Sequence, residues 1–549
     1  MKIHGSRAGL LRTLQSACVF LAVLLFFLTI ISFALPLAKA FMPLISDGFP
    51  ASRYGIRRLA RITGYTFQEA ATSTLLALLV GIPAAFLVAR RKFLGRRLLS
   101  SFAAVPLCVP TLIVALGYIS SFGMAGYANK LFSLMTGKES LNILYSFRGL
   151  VMTQGFYNFP IIMASVANAW YQIDSEQADS ARLLGAGEAR CFFSITLIQL
   201  LPSIISGAIT VFIYCFFSFM FVLLFGAAGG TTLEVAIYHA GRSQLHFTEA
   251  ASLALLESVT ALTALFLLAK AEDSAKRLKG LSFRGKSATL LPVGTKEAPL
   301  VAVFLGVIAV FFVMPLLSII ISSLTARTGG RKLFSLAAWR QLLAMRSFYH
   351  SLRNTLLVAA ATSLLCTATA LVQSLLLRLP LFKGKAFFRT IPLLPLTVSS
   401  VLMGLGMAML VRRGHPFQLV LAQTALYWPF AFRQIQSCMA KIPESVTDAA
   451  ATLSPCRTDV LFRVILPYCK RGILSGAGFC FAMSCSDATL PLVLSVHKFD
   501  TLSLFTYRLA GSYRLAQASA SGTVLGVCCI LAFALSNRAH RSKENHGIS

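Results

Sequence analysis

The chain has 549 residues, of which 56% are apolar and only 13% are charged, whereas globular domains carry about 25% charged residues. This composition excludes a soluble enzyme, a collagen-like fibre and a disordered chain, because none of these keeps so much apolar surface away from water. The charges lie in short groups between uncharged runs, which is typical of a polytopic membrane protein.

The formal net charge of +31 would point to nucleic acid in a soluble protein. Here the basic residues lie in short loops between apolar runs, 30 of them on one predicted side of the membrane and 20 on the other. Such loops orient a membrane protein and contact anionic lipid headgroups, and the richer side is the cytoplasmic one. We predict contact with the lipid bilayer, no nucleic-acid partner, and both termini in the cytoplasm.

A membrane span needs about 20 apolar residues to cross a hydrocarbon core about 30 Å thick. In chain order the candidates are Thr13–Ala38, Ala70–Ala89, Leu98–Ser121, Gly149–Ala169, Ser203–Phe225, Ala250–Ala269, Ala298–Leu324, Asn354–Leu377, Thr390–Val411, Gly414–Phe432, Gly472–Leu494 and Leu515–Asn537. They predict an all-α integral membrane protein with twelve transmembrane helices. Two tandem six-helix halves, residues 1–270 and 298–549, flank a charged cytoplasmic linker, 271–297.

The start of the chain imitates a cleaved signal peptide, because Lys2, Arg7 and Arg12 precede an apolar run that ends in Ala38-Lys39-Ala40. The uncharged run Thr13–Ala38 has 26 residues. That is longer than a usual signal core and sufficient to span, so we predict an uncleaved first span.

The two halves repeat each other. At an offset of 269 residues Gln154 matches Gln423, Pro160 matches Pro429, Ala181 matches Ala450, Leu197 matches Leu466, and Ser206-Gly207-Ala208 matches Ser475-Gly476-Ala477. Upstream the offset is 289, where Pro106 matches Pro395 and Gly117 matches Gly406. Matches that include Pro and Gly at one offset indicate a parallel duplication, with a pathway between the halves.

Two equivalent loops carry short amphipathic helices, in segments 174–185 and 443–454. Each begins with residues that favour a helix start, Asp174-Ser175 in one copy and Pro443-Glu444 in the other. In the second copy Val446, Ala449, Ala450 and Leu453 share one helix face, and in the first copy Gly185 is placed to end the helix. The alternatives are a helix lying on the membrane surface and a docking element for a soluble partner. The mixed charges of the polar faces favour docking.

These loops resemble the EAA loop of permease subunits in binding-protein-dependent ABC importers, in which Glu-Ala-Ala precedes Gly and then Ile-x-Leu-Pro at fixed spacing. The first copy reads Asp179, Ser180, Ala181, Gly185, Ile195 and Leu197, with Ile198 in place of Pro; the second reads Asp448, Ala449, Ala450, Val464, Leu466 and Pro467, with Ser454 in place of Gly. The resemblance implies a cytoplasmic coupling helix in each half. It also implies two cytoplasmic ATPase partners and an extracytoplasmic substrate-binding protein, in the inner (cytoplasmic) membrane of a bacterium. The residues implied to couple are Asp179, Ala181, Leu184, Gly185, Leu197, Asp448, Ala449, Ala450, Leu453, Ser454, Leu466 and Pro467.

More specifically, the chain looks like the fused twelve-span thiamine importer permeases. The similarity lies in segments 229–238 and 249–256 and in Gly511-Ser512-Tyr513-Arg514. It implies thiamine or a thiamine phosphate as substrate. Iron(III) importer permeases share the same fused layout and are the alternative.

Segment 280–287 matches the phosphate-loop pattern G-x4-G-K-[ST] literally, ending in Gly285-Lys286-Ser287. That motif binds phosphate only when a buried strand feeds the glycine loop into a helix. The charged segment before it, Ala271–Lys279, cannot form such a strand, so we interpret this stretch as a basic linker. ATP hydrolysis is expected in the partner subunits.

Two acids, Glu257 and Asp487, lie inside apolar runs. An acid at mid-membrane costs about 2.5–3.5 kcal/mol and usually faces a cavity or a partner. Either they line the pathway of a cationic substrate, or they have structural roles, Asp487 with Ser484 and Ser486 beside it. The sequence contains no nucleophile–base pair and no metal-ligand pattern, so we predict a transport subunit without catalytic residues, metal or cofactor. A secondary transporter and a membrane-embedded enzyme remain rival classes.

Overall fold

The computed structural model describes residues 2–48, 53–136, 143–173, 175–226, 230–279, 290–328, 331–377, 391–411, 414–453 and 460–541. In the first half the α-helices are Lys2–Asp47, Arg53–Arg90, Arg96–Ser101, Val105–Cys108, Thr111–Phe122, Tyr127–Thr136, Phe147–Trp170, Ser175–Leu183, Glu188–Cys191, Leu197–Phe216, Met220–Phe225, Leu233–Tyr238 and Phe247–Lys279. In the second half they are Ala298–Ile308, Met314–Ser323, Ala337–Ala344, Arg346–Leu376, Ser400–Leu410, Pro416–Met439, Glu444–Leu453, Leu466–Ser486, Thr489–Leu494, Leu502–Gly511 and Leu515–Arg541.

Shorter elements join or interrupt these helices. The 3₁₀ turns are Phe102–Ala104 and Ile391–Thr397, and the π-helical turns are Phe192–Thr196, His239–Ser243, Ala309–Val313 and Leu461–Ile465. The described residues form two small two-stranded sheets: Arg91–Lys92 pairs in parallel with Leu291–Pro292, and Thr325–Thr328 pairs antiparallel with Arg331–Phe334. The rest of the described chain is helical or in turns, because the long apolar runs satisfy their backbone groups internally.

Nine of the twelve predicted spans coincide with helices that are long and apolar enough to cross a membrane, within the described residues. The other three are Thr390–Val411, Gly414–Phe432 and Gly472–Leu494. The first is broken into a 3₁₀ turn and an 11-residue helix, Ser400–Leu410. The other two correspond to Pro416–Met439, with 24 residues, and Leu466–Ser486, with 21, whose polar and basic residues lower the hydropathy.

Two predicted spans of the first half are also not continuous helices, and Gly472–Leu494 of the second half breaks at Asp487, which corrects the sequence-based boundaries. Leu98–Ser121 breaks at Val109, which is extended (φ −95°, ψ 121°) because Pro110 follows it. Ser203–Phe225 ends its first helix at Phe216 and resumes as Met220–Phe225. A break at membrane depth is tolerated only where neighbouring protein satisfies the freed backbone groups.

The described chain divides into two packing units. One contains residues 48–340 and 513–523, and the other contains residues 1–47, 341–512 and 524–549. The predicted halves, 1–270 and 298–549, do not coincide with these units, because the first helix of each half packs in the unit formed mainly by the other half.

In the unit of residues 48–340, the first helix of the second half lies against Thr111–Phe122. The Tyr118 hydroxyl donates to the carbonyl of Phe311 over 2.5 Å, and the Ser318 hydroxyl donates to the carbonyl of Gly117 over 2.9 Å. Gly117 lies so close to the Pro315 carbonyl that a Cβ there would overlap it. Glycine is therefore required for this close backbone approach.

In the other unit, Lys2–Asp47 makes the corresponding contact with Ser400–Leu410. A Cβ on Gly406 would overlap the carbonyl of Pro36. Thr29 and Thr369 share a hydrogen bond of 3.0 Å, and the Phe26 and Trp428 rings meet edge to face with centroids 6.3 Å apart. Gly117 and Gly406 are the residues matched at the 289 offset, so the repeat extends from sequence to packing.

Candidate coupling loops and intramembrane polar sites

The first predicted coupling helix is Ser175–Leu183. It ends in a Schellman motif: the amide of Ala186 donates to the carbonyl of Ala181 at 3.0 Å, and that of Gly185 to the carbonyl of Arg182 at 2.9 Å. Gly185 has a φ of +87°, which favours glycine. The prediction that Gly185 ends this helix is confirmed.

Arg182 links the helix to the segment that follows it. Its guanidinium donates to Asp179 at 2.5 Å and, through two nitrogens, to the Glu188 carboxylate at 2.8 and 3.0 Å. These hydrogen bonds, the one to Glu188 first, raise the pKa of Arg182. Asp179, Arg182 and Glu188 are all exposed, so the pairs position the turn around Gly185 more than they stabilise the fold.

The second predicted coupling helix is Glu444–Leu453. Its apolar face is not covered: Val446 is 43% exposed, and Ala449 is exposed as well. Leu453 is 87% exposed and its equivalent, Leu184, is 90% exposed. These large apolar side chains are therefore available for contact with a partner. Of the remaining predicted residues in these helices, Ala181 and Ala450 are half-buried, Asp448 is exposed, and Ser454 lies outside the described residues.

Both loops return through the same irregular turn. A π-helical turn spans Phe192–Thr196 in the first copy and Leu461–Ile465 in the second, again 269 residues apart. The predicted residues Leu197 and Leu466 begin the long helices that follow and are half-buried, whereas Pro467 is exposed. π-Helical turns are rare and frequently occur at functional sites.

A side-chain hydrogen bond connects the short helix of the first loop to its return helix. The Gln199 amide donates to the Gln177 side-chain oxygen over 2.7 Å. This bond joins Ser175–Leu183 to Leu197–Phe216, and the Arg182–Glu188 pair joins it to the short helix Glu188–Cys191. The loop helix and its return helix are therefore in direct contact through side chains.

Asp487 lies at the break between helices Leu466–Ser486 and Thr489–Leu494. One carboxylate oxygen accepts from the amides of Thr489 and Leu490, at 2.9 and 3.2 Å, and the other accepts from the Gln423 amide at 3.1 Å. Every oxygen of this buried carboxylate has a donor. The structural interpretation of Asp487 is thereby supported, because the side chain caps a helix that starts inside the protein.

Around this cap the polar groups form a network. Gln423 accepts hydrogen bonds from Ser484 at 2.5 Å and from Thr362 at 3.2 Å. The Ser486 hydroxyl donates instead to the carbonyl of Met483 in its own helix. The hydroxyl of Ser503 donates to the Asp487 carbonyl over 2.6 Å. Four segments of the chain are held together here.

The second predicted intramembrane acid, Glu257, is buried in helix Phe247–Lys279, with 1% of its surface exposed. It belongs to the unit of residues 48–340, whereas Asp487 belongs to the other unit. The two acids therefore occupy separate local environments.

A third buried acid, Glu69, was missed by the sequence analysis. It lies within the apolar span Gly55–Arg90 and is 0% exposed. The predicted span began at Ala70 because spans were read from one charge to the next. The signal was present nonetheless, since residues 62–89 carry Glu69 as their single charged side chain.

Known proteins similar to this chain are membrane permeases. Residues 77–271 match the model of the binding-protein-dependent transport system inner membrane component. The thiamine transport system permease protein ThiP of Brucella abortus (strain 2308) is 27% identical over 524 residues, which cover 90% of this chain and 91% of the relative. Over nine-tenths of its length the chain is thus similar to permeases of binding-protein-dependent importers.

Two further relatives are also transport permeases. ThiP of Escherichia coli (strain K12) is 25% identical over 493 residues, covering 86% of the chain and 88% of that protein. The ferric transport system permease protein FbpB of Actinobacillus pleuropneumoniae is 22% identical over 458 residues, covering 81% and 66%. The predicted resemblance to fused ABC importer permeases, and most closely to those for thiamine, is confirmed. The matched family segment includes the first predicted coupling loop.

Proposed function

We propose that this permease forms the translocation path of an inner-membrane importer for thiamine or a thiamine phosphate. Two cytoplasmic ATPase subunits drive it, and an extracytoplasmic binding protein delivers the substrate. The relatives named as thiamine permeases support the substrate. The proposal of two ATPase partners rests on one observation. Two equivalent short helices, Ser175–Leu183 and Glu444–Leu453, occur in the chain, and Leu184 and Leu453 are nearly fully exposed.

Twelve spans are part of the proposal. Nine helices are long and apolar enough to cross a membrane in the described chain. Pro416–Met439, Leu466–Ser486 and the interrupted segment 391–410 supply three more, at positions that repeat spans of the first half. An even number of spans puts both termini on one side of the membrane, which the proposal assigns to the cytoplasm together with the coupling helices.

The proposed mechanism is alternating access. ATP-driven approach of the two partner subunits draws the coupling helices together, and the ionic and amide contacts of the first loop pass that movement to the return helix. The broken third and fifth spans provide short segments able to shift without unfolding a whole span. A ligand-dependent change of this kind needs two states that the partners bind differently.

The test is uptake into vesicles containing the purified permease, its ATPase subunits and its binding protein. We expect labelled thiamine to accumulate with ATP and not with a non-hydrolysable analogue. Omitting the ATPase subunits and imposing an ion gradient separates the secondary-transporter class, which predicts uptake under those conditions.

Ferric iron is the second candidate substrate, because FbpB proteins match over most of the chain. The same vesicles decide between the two: thiamine uptake that excess ferric iron does not inhibit supports the proposal. ATP-dependent iron uptake without thiamine uptake would reverse the assignment of substrate and leave the importer class intact.

A further inference from the structure

Glu69 forms part of a buried polar cluster that the transport function does not use. The residue lies near the middle of the span Gly55–Arg90. Gln154 and Asn158 belong to helix Phe147–Trp170, and Asn158 bonds to Cys215, which interacts electrostatically with Glu69. The exposed fractions are 0% for Glu69 and Gln154 and 3% for Asn158. Gln154 and Asn158 are one helical turn apart and so share a face, and the side chain of Gln154 interacts with the Glu69 carboxylate.

The two amide groups of this cluster donate to side chains outside it. Gln154 donates its amide to the Ser218 hydroxyl at 2.8 Å, and Asn158 donates to the Cys215 sulfur at 3.5 Å. Ser73 donates to one oxygen of Glu69 over 3.4 Å.

Three acceptor oxygens remain. Among the described residues, the second oxygen of Glu69 and the side-chain oxygens of Gln154 and Asn158 have no hydrogen-bond donor. Buried acceptors are almost always satisfied, and a buried carboxylate needs a compensating charge. A small cation coordinated by these oxygens would satisfy them and balance the charge of the Glu69 carboxylate.

We propose that Glu69, Gln154 and Asn158 form a binding site for a monovalent metal cation of the size of Na⁺. Carboxylate and amide oxygens are ligands that hard cations prefer, and the one formal charge of Glu69 matches one positive charge. Full burial restricts the ligand to a bare ion, which excludes the organic cation that the permease is proposed to carry. The ion would join helices Arg53–Arg90 and Phe147–Trp170.

The site belongs to the first half alone. The second-half positions equivalent to Glu69 and Asn158 are Val358 and Tyr427. The carboxylate there comes instead from Asp487, whose two oxygens already have donors. Asp487 therefore provides a matched control: a buried carboxylate beside the equivalent glutamine, with no need of a cation.

The experiment measures thermal unfolding of the purified full chain in NaCl and in choline chloride at equal ionic strength, together with binding of ²²Na⁺. A cation that binds the folded state raises the unfolding midpoint. We expect a higher midpoint in NaCl and about one ²²Na⁺ bound per chain. Glu69→Gln should abolish both effects, and Asp487→Asn should leave both in place.

Asn158→Ala removes one neutral ligand of the proposed ion. It is the alternative test variant if Glu69→Gln fails to fold. We expect it to weaken ²²Na⁺ binding by about tenfold or more. Absence of saturable ²²Na⁺ binding to the unaltered chain, or equal binding by the Glu69→Gln variant, would overturn the proposal. A midpoint that depends on pH and not on Na⁺ would also overturn it, since Glu69 would then be neutralised by a proton.

Discussion

Gln423 donates a hydrogen bond to the Asp487 carboxylate over 3.1 Å, while its first-half equivalent, Gln154, donates to Ser218 over 2.8 Å. Ser218 and Asp487 are themselves 269 residues apart. The repeat has thus kept the contact between two spans and exchanged its acceptor. At the helix break the glutamine therefore bonds to a hydroxyl, Ser218, in the first half and to a carboxylate, Asp487, in the second half.

Replacing Asp487 tests this cap. Asp487→Ala leaves the amides of Thr489 and Leu490 without an acceptor, and we expect a loss of about 1–3 kcal/mol in the free energy of unfolding. Asp487→Asn keeps an oxygen for those amides and should lose less. The midpoints of thermal unfolding in detergent measure both variants, and equal losses would show that the cap is not the source of the stability.

Gly406 tests the packing of the first helix. In Gly406→Ala the added methyl group meets the carbonyl of Pro36, so we expect a loss of about 1–3 kcal/mol in stability. The matched control is Gly306→Ala, because a Cβ at Gly306 meets nothing within 4 Å. Alanine has a higher helix propensity than glycine, so the Gly306→Ala variant should be as stable as the parent or slightly more stable. A lower midpoint for the Gly306 variant alone would contradict this packing.

Gly185 and Gly187 form a second matched pair. A Cβ at either position meets nothing within 4 Å, but Gly185 has a φ of +87° and Gly187 one of −68°. Gly185→Ala should therefore strain the end of the coupling helix by about 1 kcal/mol, and Gly187→Ala should not. We expect ATP-driven uptake to fall in the first variant and to be unchanged in the second, with equal amounts of permease in the membrane. Equal uptake by both would mean that the Schellman motif has no part in coupling.

Arg182 offers a test of rigidity in the same loop. Arg182→Ala removes the hydrogen bonds to Asp179 and Glu188. Because exposed pairs contribute little to global stability, the unfolding midpoint should change by less than about 2 °C. Backbone amides between residues 183 and 190 should nevertheless exchange hydrogen faster, as measured by mass spectrometry. Unchanged exchange in that segment would show that the pairs do not order the turn.

Much of the coupling loop could be predicted from local rules. Helix-start residues, the apolar spacing around Ala450 and the position of Gly185 depend on neighbours in sequence, and a motif at a fixed offset identified both copies. The exposure of Leu184 and Leu453 also follows, because a short loop helix has one face that the chain itself cannot cover.

Other features depend on contacts distant in sequence and could not be read from periodicity. The partner of the first helix is set by the close approach of Gly406 to Pro36, which no local pattern encodes. Glu69 was missed for a different reason: a boundary drawn at each charge places an acid outside the span even when its helix continues past it. The helix interruption at Val109 follows from Pro110, but a span predicted from hydropathy alone does not take proline into account.

The central claim is that two equivalent helices each bind one ATPase subunit. The most direct measurement is the number of ATPase subunits that co-purify with the permease, for the parent chain, Ala181→Arg, Ala450→Arg and the double variant, with Thr452→Arg as a control away from the apolar face. We predict two subunits per parent chain, a marked loss for each single variant, none for the double variant and two for the control. Two subunits retained by the double variant, inserted normally in the membrane, would contradict the account.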